Sequence, residues 1–259
     1  MITAEETRLL EQASNAPMLA QLLDWAAINS GTGNLTGLSH MADKLADAFA
    51  VLPAAIHRLP ADAVEMVDTA GQVQPVQRGD QLLISVRPDA PMQLLLTGHM
   101  DTVFPADHPF QSERWLDDHT LNGPGTADMK AGLAVMLAAL QAIESSPLAV
   151  HVGYDVLINS DEETGSQGSA RLIAQRAKGK TAALTYEPSM ADGSLAGARS
   201  GSGNFSVTLH GRSAHAGRNP EDGRNALIAA ADLALRLTAL KSSNLKINVA
   251  RMDGGGPNN

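Results

Sequence analysis

The strongest chemical signal lies in Ser160-Asp161-Glu162-Glu163-Thr164-Gly165-Ser166, where the apolar run Val156-Leu157-Ile158 ends in three consecutive carboxylates. Adjacent acids repel one another, and in an α/β protein the carboxyl end of a buried strand is where ligands bind. Two readings follow: a solvated turn entering a helix, where the helix dipole favours acids, or a cation site. Three more stretches share the pattern. After Leu94-Leu95-Leu96 comes Thr97-Gly98-His99-Met100-Asp101. Alternation along an extended chain puts His99 and Asp101 on one side, so Asp101 can accept the second ring N–H of a ligating His99. The loop Asn122-Gly123-Pro124-Gly125-Thr126-Ala127-Asp128-Met129-Lys130 delivers Asp128 to a helix start, where an N-cap role is the plain alternative. Tyr186-Glu187-Pro188 again places an acid past an apolar strand. A parallel sheet would bring His99, Asp128, Glu162 with Glu163, and Glu187 to one edge, and one metal centre explains them more economically than four separate turns. Mixed His and carboxylate donors suit zinc, with cobalt or manganese as substitutes.

Holding these groups requires alternating strands and helices. Helical spacing runs from Ala16 to Asn29 and from Ser39 to Val51, and strands are expected at Val64 to Asp68 and Gln81 to Val86, joined by a polar turn around Gly71. The buried strand at Leu94-Leu96, a long polar loop from Pro105 to Asp128, and a helix over Lys130–Ile143 follow. A strand over Val150–Asn159, a helix over Ser169–Lys178 and a strand over Ala182–Tyr186 complete the pattern. The fold class read from this order is α/β: a mostly parallel sheet flanked by helices, plus the first part of a smaller α+β domain. The Gly- and Ser-rich segment after Pro188 marks a domain crossing, with one domain at 1–195 and another at 196–259. In the second, strands are expected at Phe205–Leu209 and Leu245–Ala250, with a helix from Arg224 to Leu240.

Composition narrows the partners. Lys and Arg number 19 against 28 Asp and Glu, and the net charge of -9 argues against nucleic acid or an anionic membrane. The absence of cysteine leaves His, Asp and Glu as the strong metal donors. The first residues carry neither a basic start nor an apolar core, and no run is read as long enough to span a bilayer. A cytoplasmic location is therefore the default expectation.

The Gly-His-Met-Asp-Thr-Val, Gly-Pro-Gly-Thr-Ala-Asp-Met-Lys-Ala-Gly, Asp-Glu-Glu-Thr-Gly-Ser and Tyr-Glu-Pro blocks, in this order, resemble the zinc exopeptidases and deacylases. That family includes glutamate carboxypeptidase, acetylornithine deacetylase, succinyl-diaminopimelate desuccinylase and aminoacylase. Gly211-Arg212-Ser213-Ala214-His215-Ala216-Gly217 points to the glutamate carboxypeptidase branch. The resemblance implies two zinc ions bridged by Asp128, with His99 and Glu187 completing one site and Glu163 holding the other. It also implies Glu162 as the general base, which takes a proton from the attacking water and passes it to the leaving amine. Asp101 would orient His99, and a cis peptide would follow Asp128. His215 would polarise the substrate carbonyl in the partner subunit's site, making a homodimer formed through the lid domain part of the mechanism.

Departures from the family pattern are informative. The second metal site of the family is completed by a histidine near the end of the full chain, yet none follows His215, and His40, His57, His108, His119, His151 and His210 lie in no matching motif. Asn259 matches an Asn in the family's lid. The expectation is the first part of a longer hydrolase that removes a C-terminal residue from a small peptide. The alternatives are an N-acyl-amino-acid deacylase, a truncated form that binds metal or ligand without catalysis, and an aminopeptidase of the same broad fold.

Overall fold

A capping box opens the first helix, α1 (Ala4–Ser14): Thr3 accepts from the Glu6 amide while the Glu6 side chain accepts from the Thr3 amide. The computed structural model describes residues 2–256. Only Leu9 of α1 is buried, so apolar periodicity hardly announces this helix, and Thr3-x-x-Glu6 is its clearer signal. The two expected N-terminal helices are α2 (Met18–Ala26) and α3 (Leu35–Phe49). The second begins before Ser39 because Asn34 caps it, accepting from the Gly37 amide.

The strands, in chain order, are β1 (Ala55–Leu59), β2 (Val64–Val67), β3 (Val73–Val76), β4 (Gln81–Val86), β5 (Met92–His99), β6 (Arg114–Asp117), β7 (Thr120–Asn122), β8 (Val152–Asn159) and β9 (Ala182–Thr185). The later helices are α4 (Ala131–Glu144), α5 (Ala170–Ala177) and α6 (Ala226–Ala239). A five-stranded sheet runs β1-β4-β8-β5-β9, with β8, β5 and β9 parallel and β4 antiparallel to both its neighbours, β1 and β8. The class is α/β, as the order of elements predicts.

The pleat sorts the core into two layers. Leu82, Ile84 and Val86 of β4 pair in register with Ile158, Val156 and Tyr154 of β8 and pack with buried residues of α2, α3 and α4. The intervening Leu83 and Leu157, with Leu95, face the other way against Leu172 and Ile173 of α5. Each fully buried side chain of this kind contributes roughly 1.5–3 kcal/mol, so both faces of the sheet that carries the site are held by burial.

Several expectations are corrected. Val64–Val67 pairs not with Gln81–Val86 but with Val73–Val76, across a turn in which Asp68 accepts from the Ala70 and Gln72 amides. Pro75 inside β3 hides that strand in the sequence, because within sheets proline is confined to edge strands, strand starts and bulges. β4 pairs instead with β8 and with β1, whose mostly exposed residues leave little apolar alternation to read. The polar loop from Pro105 contains the β6–β7 hairpin, and Val152–Asn159 is preceded by a 3₁₀ turn at Pro147–His151. Phe205–Leu209 and Leu245–Ala250 form no strand among the described residues. Alternation marks a possible strand, but a ladder needs a neighbour to hydrogen-bond. The correspondence at Asn259 lies outside the described residues. Thr126–Glu144 is long and apolar enough to cross a membrane by length and composition, contrary to expectation, but 56% of it is buried in this core, the usual fate of a central helix.

The described chain divides into two units, residues 2–64 with 77–198, and residues 65–76 with 199–256. The hairpin insert therefore groups with the C-terminal segment, which a single cut along the sequence does not convey.

Lys130 joins the start of α4 to the end of α2. Its Nζ donates to the carbonyls of Trp25 at 3.0 Å and Ile28 at 2.8 Å, and burial lowers its pKa to about 8. Lys130→Met keeps the stem but leaves these carbonyls without their donor. It is expected to reduce unfolding free energy by about 1–3 kcal/mol, read from urea midpoints.

Candidate metal centre

Parallel register decides which side chains meet. His99 lies opposite Asn159, and Thr97 opposite Thr185, so β5, β8 and β9 end at one edge. Two residues past β9 comes Glu187, and three and four past β8 come Glu162 and Glu163. Asp128 arrives from the turn Thr126–Lys130, which the chain enters through Gly125 at φ 68 and which leads into α4. A Cβ on Gly125 would lie 2.9 Å from Thr102 Cγ2 and 3.2 Å from the Lys130 stem, so both the positive φ and the crowding call for glycine. The Asp128-Met129 peptide is cis, as the resemblance implies.

All five expected groups come together. His99 Nε2 is 3.0 Å from Asp128 Oδ1, 3.7 Å from Glu187 Oε1 and 3.9 Å from Glu162 Oε2. Ligand atoms of His99, Asp128 and Glu163 lie within 4.8 Å of one another, and so do those of His99, Glu162 and Glu187. The two triads share His99, and each takes one of the adjacent glutamates. This differs from the expected sets, in which Glu187 joins His99 and Asp128.

Asp101 sits beneath His99. The imidazole Nδ1 is 3.0 Å from the Asp101 main-chain oxygen and 3.3 Å from its Oδ1, so backbone and side chain share the orienting role. The buried carboxylate also accepts from Thr32 Oγ1 at 2.7 Å and from the amides of Glu162 and Glu163 at 3.1 and 3.2 Å. It thus links the His99 strand end to the acidic turn. Thr32 was not a sequence candidate, since its partner lies 69 residues away. A cleft of about 350 Å³ lined by Thr32, Gly33, Thr102, Val103, Pro105, Glu163 and Thr164 adjoins the group.

Electrostatics fit a cation. Burial raises the Glu163 carboxyl to about 7; His99 opposes this shift, while the charges of Asp128, Asp101 and Glu162 add to it. Burial likewise raises Glu187, with Asp128 and Glu162 adding to the effect. Burial alone would lower His99, but the Asp101 hydrogen bond and charge, with Glu187 and Glu162, carry it up to about 9. Protons therefore hold this cluster of like charges together when no cation does, and a divalent ion would replace them. One imidazole nitrogen and several carboxylate oxygens form a donor set that zinc accepts.

Glycine also lets α4 approach the β9 end. A Cβ on Gly132 would fall 2.0 Å from the Tyr186 carbonyl oxygen, immediately before Glu187. Gly132→Ala must displace one or the other. The expected result is a loss of about 1–3 kcal/mol of stability together with weaker zinc retention in equilibrium dialysis.

His215 belongs to the second unit. It is exposed in a turn where its Nδ1 accepts from the Gly217 amide at 3.1 Å and its carbonyl accepts from the amides of Arg218 and Asn219.

The profile of Peptidase family M20/M25/M40 matches residues 95–250, more than half of the 259 residues. The chain belongs to this family. Among M20 relatives, carboxypeptidase G2 of Pseudomonas sp. (strain RS-16) is 38% identical over 177 residues, covering 66% of this chain and 42% of that protein. Acetylornithine deacetylase of Proteus mirabilis is 34% identical over 185 residues, covering 67% of this chain and 45% of its own length. The chain spans about half the length of the curated relatives it matches. A solved tripeptidase from Staphylococcus aureus superposes with a TM-score of 0.57 at 24% identity, covering 100% of this chain and 64% of that one, and supports the M20 fold.

Proposed function

We propose that the protein carrying this chain is a dinuclear zinc hydrolase of amide or peptide bonds, a carboxypeptidase that removes a C-terminal amino acid such as glutamate. The observation that carries this reading is the meeting of His99, Asp128, Glu162, Glu163 and Glu187, from separate strand ends and one loop, at a single sheet edge. Likeness to carboxypeptidase G2 supports the carboxypeptidase branch. Asp128 would hold both ions, with His99 and Glu187 completing one site and Glu163 serving the other. Bound there, zinc supplies Lewis acidity toward the carbonyl and lowers the pKa of water.

The chain's own residues do the rest. Asp101 fixes the His99 ring so that Nε2 faces the site, and its hold on the amides of Glu162 and Glu163 aims the acidic turn. Glu162, with a side chain 45% exposed, reaches open space, where its carboxylate takes a proton from water and delivers it to the leaving amine. His215 of the partner subunit donates to the developing oxyanion in a homodimer.

Assay of the complete protein with zinc against peptides and folate-like compounds ending in glutamate tests the reading. Turnover of these substrates is expected, and inactivity with metal bound would sink it. Likeness to acetylornithine deacetylase favours a second reading, N-acyl-amino-acid deacylation, marked by turnover of N-acetyl amino acids in preference to peptides.

A further inference from the structure

Asp161 is the member of the acidic triplet to which the reaction assigns nothing, and its surroundings are unlike those of a solvated acid. Its residue is 1% exposed, and its carboxylate turns away from the metal cluster. Oδ2 accepts from the Gly168 amide at 2.7 Å, and Oδ1 accepts from Ser169 Oγ at 2.7 Å and from Asn159 Nδ2 at 3.3 Å. Asn159 is the last residue of β8, and Ser169 immediately precedes α5. One side chain therefore clamps the strand end to the helix start. The Asp161 carbonyl closes the turn from within, accepting from the Ser166 amide at 2.9 Å and the Thr164 amide at 3.3 Å.

That turn contains Gly165 at φ 94 and Ser166 at φ 55. A serine in the left-handed region persists only where the surroundings over-determine it, and here the Asp161 carbonyl and Asn159 Nδ2, which bonds Ser166 Oγ at 3.1 Å, do so. On the opposite side, Asp101 holds the amides of Glu162 and Glu163. The two glutamates are thus suspended between two buried carboxylates, one beneath His99 and one beneath α5.

We propose that Asp161 is a positioning residue for the metal centre: by pinning Gly168, Ser169 and Asn159 it sets the direction in which Glu162 and Glu163 leave the strand end. This inference rests on the reading of those glutamates as base and ligand. It separates Asp161 from its neighbours, since its carboxylate is engaged by Gly168, Ser169 and Asn159, lies in neither metal-capable group and acts through the turn.

Zinc competition with a chromophoric chelator, and the visible absorption of the cobalt-loaded form, test this in the complete protein. Asp161→Ala is expected to weaken apparent zinc affinity by about 10–100-fold and to alter the cobalt spectrum, because the residues that orient ligands influence affinity to that extent. Asp161→Asn keeps the acceptor for Gly168 but sets its amide against the Asn159 amide, so its loss is intermediate. Ser169→Ala removes one donor only and gives the smallest loss. The latter two variants carry the test if Asp161→Ala does not fold. A fall in melting temperature with wild-type zinc affinity and cobalt spectrum in Asp161→Asn and Ser169→Ala would overturn the positioning role while leaving the hydrolase reading intact. Failure of the unaltered protein to bind zinc would overturn both.

Discussion

Glu162→Gln is expected to lower kcat by about 10²–10⁴-fold while leaving the zinc content unchanged. Glutamine keeps the shape of the side chain and its hydrogen-bonding capacity but cannot take up a proton at neutral pH. The geometry makes the result informative, because the two adjacent glutamates sit in different triads that share His99. Glu163 is the one that burial and neighbouring carboxylates raise to about 7, the state of an acid awaiting a cation. Glu162 is 45% exposed at its side chain, against 28% for Glu187, and so has room beside it for water and substrate. Rate and metal content should be measured on the same preparation, with Glu163→Gln alongside. Zinc loss from the first variant and retention by the second would exchange their roles.

The second large effect is expected at Asp128. Asp128→Ala should bring zinc content near zero and turnover below detection, since this carboxylate is read as the ligand common to two ions. It is 3.0 Å from His99 Nε2 and belongs to the same close group as Glu163. A ligand that binds only the folded state raises the melting temperature with concentration. Zinc should therefore raise the melting temperature of the unaltered protein and fail to do so in Asp128→Ala. Removal of an exposed side chain from the metal-free protein should otherwise disturb folding little, so the two zinc-free melting temperatures should nearly coincide. A variant that still bound two ions would rule out the bridging role.

Much of this site is legible before any folding is considered. His99, Glu162, Glu163 and Glu187 each follow an apolar run, and a strand that gives way to polar residues at a sheet edge is a local event written in adjacent residues. Asp128 is legible for a similar reason, since glycines and a proline punctuate its approach to an apolar helix. The α/β class follows from the same alternation of periods. Where the chain's signal depends on a partner, reading it alone misleads. Phe205–Leu209 has strand alternation and no ladder among the described residues, whereas β3 has a ladder despite Pro75.

Tertiary structure alone decided what the acidic triplet is made of. Asp161, Glu162 and Glu163 are three consecutive carboxylates in sequence, yet one turns inward to Gly168 and Ser169 while the others face His99. Thr32, Lys130 and Gly132 matter through contacts with Asp101, Trp25 and Tyr186, respectively 69, 105 and 54 residues distant. Residue type and spacing determine which groups can bind a cation, because apolar and polar periodicity is a property of neighbours. Which of those groups face one another depends on sheet register and helix packing, and these are set by hydrophobic burial summed over the whole core.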